Sequence, residues 1–237
     1  MINFPLREVY LESVDSTNSY LKRIVKESEP ACGLSVMAES QTSGRGRLGR
    51  SWLSAEGNTL CMSICVKNKY CEGFTLLVAL AVFEALKPFC KNKELQIKWP
   101  NDIITENKKL CGILCERVSE YTVIGIGINI NNEDFPLEIK NKATSLYLLN
   151  GEKHELKAVF RAVNAAVENI LTRYNFTFTE EAKKAYAELC ANLGRNVTTE
   201  SKSGVAVDID ANGSLILNCD GETVSITSGE VAIHGIY

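Results

Sequence analysis

The chain has 237 residues, 45% of them hydrophobic and 23% charged, with a formal net charge of -3. This is an ordinary globular composition, long enough for one large domain or for a domain with a small module. No apolar run reaches the roughly eighteen residues of a membrane span, the first residues lack the pattern of a secretory signal, and the net acidity argues against a broad nucleic-acid surface.

In chain order, Asp15-Ser16-Thr17 is a helix start ahead of residues 18–26, where Tyr20, Leu21, Ile24 and Val25 recur at helical spacing. Residues 34–38 read as a strand that feeds the stretch Gly44-Arg45-Gly46-Arg47-Leu48-Gly49-Arg50, followed by Ser51-Trp52. Three arginines with no acid among them, on a glycine-rich backbone, form a mobile cationic loop suited to covering a carboxylate or phosphate; a solvated turn or an RNA-binding patch is the alternative.

Residues 59–66 form a second strand, and residues 74–89 a buried helix that ends near Pro88. Residues 95–99 form a short strand closed by Pro100, with Asn101-Asp102 as a turn that can also position a nucleotide or its magnesium. Residues 110–118 and 121–130 read as a hairpin turning at Ser119-Glu120, and the second of these strands pairs either across a dimer or internally. Lys109 stands where a sheet-edge lysine is either solvated or placed over an anion. Gly112, and the pair Gly125 and Gly127, leave room for a ring or a close backbone; Gly125-Ile126-Gly127 lacks the third glycine and helix of a dinucleotide fold.

Residues 156–174 and 180–192 are helical by pattern. After Gly194 the texture changes to short strands at 196–200, 205–209, 214–217, 223–226 and 230–233, with turns at Lys202-Ser203-Gly204, Asn212-Gly213 and Asp220-Gly221. The expected division is therefore 1–193 and 194–237, the second part a small antiparallel barrel. The nine cysteines form no Cys-x-x-Cys pair and the histidines number two, so buried reduced thiols are expected and no metal ligands are assigned.

Asp15-Ser16-Thr17-Asn18, Gln41 with residues 44–50 and Trp52, Lys98-Trp99-Pro100-Asn101-Asp102, Lys109-Leu110-Cys111-Gly112-Ile113-Leu114 and residues 125–129 occur in the order and approximate spacing of biotin protein ligases, and the chain resembles that family over nearly its whole length. The resemblance implies an α+β fold: a mixed sheet flanked by helices, similar to the catalytic core of class II aminoacyl-tRNA synthetases, with a C-terminal SH3-like barrel. It implies ATP-dependent formation of biotinyl-5′-AMP and transfer of biotin to a lysine of a biotin carboxyl carrier domain, with magnesium accompanying ATP. Fourteen residues precede Asp15, so the chain looks like the short form without a DNA-binding module. A cytoplasmic enzyme with no DNA or membrane partner is expected, and a homodimer is left open.

By the same resemblance, Arg47 and Lys109 are catalytic, with Arg45 helping the loop close. Ser16, Thr17, Asn18, Gln41, Gly44, Arg45, Gly46, Arg47, Lys109, Gly112 and Gly125 bind biotin. Arg47, Arg50, Trp52, Asn101, Asp102, Lys109 and Asn129 bind ATP. The rival readings are a lipoate or octanoate ligase or transferase of the same fold, and a non-catalytic biotin sensor.

Overall fold

Two sheets organise the computed structural model, which describes residues 5–27, 31–67, 71–91 and 93–236. The first contains β1 (Arg7–Val14), β2 (Leu34–Gln41), β3 (Thr59–Lys67), β4 (Leu95–Lys98), β5 (Asp102–Thr105), β6 (Lys108–Val118) and β7 (Tyr121–Asn129). Their order is β1-β2-β3-β7-β6-β5-β4; β1 and β2 are parallel and all other neighbours antiparallel, so the sheet is mixed as expected. β7 lies between β3 and β6, which resolves its pairing as internal.

The strands alternate faces, and β3 shows what that does. Leu60, Met62, Ile64 and Val66 enter the main core, while Cys61, Ser63 and Cys65 point to the other face. On the core side lies α2 (Phe74–Leu86), apolar nearly all round and buried between the sheet and α4 (Leu156–Arg173). Its α-helical turns stop at Leu86 and a 3-10 turn carrying Pro88 runs on to Cys90. On the opposite face α1 (Thr17–Lys26) packs through Leu21 against Val36, Cys65 and Val123, with Ser16 as its N-cap.

The second sheet contains β8 (Asn196–Thr198), β9 (Ser203–Ile209), β10 (Leu215–Cys219), β11 (Glu222–Ile226) and β12 (Ala232–Ile233), all antiparallel, in the order β11-β10-β9-β8-β12. Asp220 and Gly221 both take positive φ at the β10–β11 turn, the conformation the Asp-Gly pair favours.

Trp99 ties the two sheets together. Its backbone N donates to Asn192 Oδ1 at 2.7 Å, and its indole Nε1 donates to Gly213 O at 2.9 Å, deep in the interior. Asn192 follows α5 (Glu180–Leu189), so one motif residue grips both the helical layer and the second sheet.

Several local expectations need correction. Asp102 is not a turn residue: it opens β5, pairing with Lys98 on one side and Gly112 on the other. Ser203 and Gly204 belong to β9 rather than to a turn, because the chain reverses at 199–202, where Thr199 N donates to Lys202 O. β1, β5 and the one-turn α3 (Leu146–Asn150) carry no signal that set them apart in sequence: β1 is an exposed edge strand broken by charges, and the other two span four and five residues. Residues 1–4 and 237, which fall within the expected domain limits, lie outside the described residues.

Trp99→Phe removes the indole donor and leaves Gly213 O buried without a partner. The expected cost is about 1–3 kcal/mol of unfolding free energy, measured by urea denaturation.

Candidate active site

Strand register builds the site. One row of paired residues crosses six strands: Ala38, Cys61, Gly127, Gly112, Asp102 and Lys98. Its middle has almost no side chains and one end carries charge, so the row is a groove with a polar terminus. The groove floors a cavity of about 740 Å³. The indole of Trp52 lies in it: a Cβ on Gly127 would sit 2.3 Å from Trp52 Cε2, and one on Gly112 would sit 3.1 Å from Trp52 Cζ3. The room at Gly125 is taken by Asn18, whose Oδ1 would be 2.3 Å from an added Cβ. The glycine trough read from the sequence therefore admits two side chains of this same protein.

At the charged end, Lys109 Nζ is 2.7 Å from Asp102 Oδ1 and 5.7 Å from the Trp52 ring centroid. Lys98 is buried, and burial pulls its ammonium below the ordinary lysine range; attraction to Asp102 and Glu230 opposes this, and repulsion from Lys109 and Arg50 weakens that opposition. Arg47 is likewise lowered, first by burial, with Asp102 and Glu230 opposing. Burial leaves these cations short of hydration, and an anion entering the groove would relieve them.

The opposite end is neutral. Thr17 N donates to Gln41 Oε1 at 2.8 Å, and Thr17, Asn18 and Ser63 form a continuous polar cluster above Leu114 and Glu116. The Cys61 thiol between the two ends is pushed up to about 12 by burial and stays protonated.

The arginine loop folds over this groove. Arg45 and Ser51 form an isolated bridge, Gly46 N donates to Arg50 O, and Leu48 and Gly49 take positive φ at the tip. Arg47 donates to Asn101 Oδ1 at 2.7 Å and to Gly229 O at 2.8 Å, and Arg50 pairs with Glu230. Asn101 is held for this by its own exchange with Ile113: its Nδ2 donates to Ile113 O at 2.9 Å.

Ser16, Thr17, Asn18, Gln41, Arg45, Gly46, Arg47, Arg50, Trp52, Asn101, Asp102, Lys109, Gly112, Gly125 and Asn129 all line the one cavity. Gly44 does not; it lies behind the loop, where a Cβ would be 2.4 Å from Trp52 O. Asn129 spends its amide donor on Thr144 O at 3.0 Å, leaving its oxygen as an acceptor. Two walls escaped the sequence reading: the segment with Phe135, Pro136 and Ile139, and residues 229–232, which lead from β11 into β12 of the second sheet. The first follows no periodic pattern. The second reads only as a barrel strand, and nothing in its spacing signals that it reaches another module.

A sheet-floored cavity with a neutral polar end, a cationic end, an arginine cover and a wall from a small β-module defines an enzyme domain of the acyl-adenylating ligase type. Residues 10–131 match the "Biotin/lipoate A/B protein ligase family" model and residues 193–233 match the "Biotin protein ligase C terminal domain" model, and the chain belongs to that ligase family. It is 31% identical over 240 residues to the "Bifunctional ligase/repressor BirA" of Bacillus subtilis, covering 95% of this chain and 73% of that one. It is 28% identical over 228 residues to the "Biotin--[acetyl-CoA-carboxylase] ligase" of Mycobacterium tuberculosis, covering 91% and 85%. The solved structure "Biotin protein ligase from Aquifex aeolicus in complex with biotin and ATP" superposes with a TM-score of 0.85 at 32% identity, over 97% of this chain and 99% of that one.

Glu230→Ala frees Arg50 from the second sheet. Trypsin should then cleave the native protein within residues 45–50 several times faster than wild type, read by mass spectrometry of timed digests.

Proposed function

We propose that the chain is a biotin–[biotin carboxyl carrier protein] ligase: it activates biotin with ATP and transfers it to a carrier lysine. The observation that carries this reading is the polarity of the groove. Its Thr17, Asn18 and Gln41 end is neutral, and its Lys98, Asp102 and Lys109 end is charged. Biotin has the same polarity, a neutral bicyclic urea at one end and a carboxylate at the other. The C-terminal match favours biotin over lipoate as the acyl donor.

In the first step a biotin carboxylate oxygen attacks the α-phosphorus of ATP and pyrophosphate leaves. Two anions must meet, so fixed cations govern the barrier. Lys109, swinging from Asp102, holds the carboxylate against the α-phosphate; Arg47 and Arg50 follow the charge onto pyrophosphate. Trp52 walls the acyl-adenylate pocket, and Asn101, Asp102 and Asn129 serve the nucleotide, which brings its own magnesium. In the second step the carrier lysine's amine attacks the acyl carbon, the amide forms and AMP departs. Arg45 and Gly46 close the loop over the mixed anhydride and exclude water meanwhile.

Residues 1–193 form the catalytic domain in this reading, and 194–237 the module that steadies the loop. The acceptor is the carrier domain of a biotin-dependent carboxylase. Reaction in the cytoplasm agrees with nine cysteines free of disulfides, and no helix among the described residues is long and apolar enough to cross a membrane.

Wild-type protein should release pyrophosphate from magnesium-ATP when biotin is added without acceptor, and lipoate should not replace biotin. Arg47→Ala and Lys109→Ala should each lower that release by about a hundredfold while melting near wild type. Arg45→Gly should let the adenylate escape, seen as biotin on unrelated added proteins; full retention of the adenylate would contradict the role given to the loop.

A further inference from the structure

Glu116 lies on β6, two residues beyond Leu114, and touches no part of the charged end of the groove. It accepts from Asn18 Nδ2 at 2.8 Å and from Lys22 Nζ at 2.7 Å. Burial alone would raise its carboxyl; the Lys22 and Asn18 donors outweigh that and hold it below the ordinary range, with Arg45 adding attraction. It is therefore ionised and can only accept.

That fact propagates. The second Asn18 hydrogen points to Leu114 O at 3.3 Å, so both amide hydrogens face away from Ser63 and the Asn18 oxygen faces it. Ser63 Oγ lies 2.5 Å from that oxygen and 2.7 Å from Thr17 Oγ1, and one hydroxyl hydrogen cannot serve both. Asn18 Oδ1 can only accept, so Ser63 donates to it. The 2.7 Å contact then needs its hydrogen from Thr17, which prefers this partner to Gln41 Oε1 at 3.2 Å. Thr17 Oγ1 is left with an unshared pair, and Gln41, whose oxygen already accepts from Thr17 N, is left with Nε2 as its donor.

We infer that Glu116 is a positioning residue for ligand recognition: the acceptor oxygen it holds out to Asn18 sets the direction of the chain Thr17 → Ser63 → Asn18 → Glu116, so that Thr17 offers an acceptor, beside the Gln41 donor, to a ligand that presents an N–H next to a carbonyl. A cyclic urea has that pair of groups. The inference rests on the biotin reading for the identity of the ligand and goes beyond it in assigning a residue outside the cavity lining.

The test separates polarity from simple ion pairing. In the charge-swapped Lys22→Glu/Glu116→Lys variant an ion pair is kept, but Asn18 now faces a donor-only ammonium and must turn its oxygen towards it, reversing the chain. Calorimetry should show biotin binding weakened by about tenfold or more, one hydrogen bond's worth, with the KM for ATP and the melting temperature near wild type. Glu116→Gln, which can still accept from Asn18, should restore binding to within about threefold. Biotin methylated on both ureido nitrogens should bind wild type and swap alike, because the discriminating N–H is gone.

Wild-type affinity in the swap, or equal loss for biotin and its methylated analogue, would overturn the inference. Should the swap fail to fold, Glu116→Leu serves: weaker biotin binding at unchanged ATP KM supports the inference and unchanged biotin binding overturns it. A wild-type chain that ignores biotin altogether overturns the functional reading instead.

Discussion

Antiparallel register is the constraint on which the site depends. Cys61, Gly127 and Gly112 stand side by side because β3, β7 and β6 pair in one alignment, and the same alignment brings Asp102 and Lys98 into line at the end of the row. A slip of one residue on β3, β7 or β6 would turn its pocket-facing position into the core and bring a core side chain such as Leu60, Ile126 or Ile113 into the groove. The register is fixed from behind, by the apolar alternates Leu60, Met62, Ile126, Ile128 and Ile113 packed under α2 and α4. The core thus specifies the groove, and Met62, Ile113 and Ile126 belong to both.

Electrostatics then divides the groove. Lys98 is buried and Arg47 half-buried, so both lose hydration that the nearby carboxylates only partly replace, and Asp102 is shared by Lys109 and, at longer range, by both. Such an arrangement costs stability in the empty protein and is offset when an anion enters. At the far end the polar groups Thr17, Ser63 and Asn18 satisfy one another in a hydrogen-bonded chain. One sheet surface therefore offers two environments, suited to the two ends of one elongated molecule.

The sequence made the chemistry-bearing residues legible more readily than their partners. Residues 44–50 and 98–102 stand out because arginines and lysines with glycine or proline are rare in combination, and the long helices and the β6–β7 hairpin stand out by period. What stayed hidden lacked period or contrast. β5 is four residues that begin with the Asp of a turn-like Asn-Asp, β1 is an exposed edge, and Glu116 reads as the polar alternate of a strand. The pairing of Trp52 with Gly127 and of Asn18 with Gly125 joins residues far apart in the chain, so the glycines announce a missing side chain without saying what fills the space.

The second sheet settles a remaining question, how a mobile cover can be both closed and able to open. Arg50 and Glu230 are well exposed, and an exposed ion pair is worth at most about 1 kcal/mol. The half-buried Arg47 is held by two neutral oxygens, Asn101 Oδ1 and Gly229 O, which a phosphate can replace with stronger, charge-assisted partners. The closed loop is thus held by contacts individually weaker than those an anionic ligand would offer. Binding energy from the ligand can shift the arginines from the second sheet to the anion, and departure of the anion returns them. A small module that lends the loop one backbone oxygen and one carboxylate can in this way govern how long the loop stays shut over a reactive intermediate.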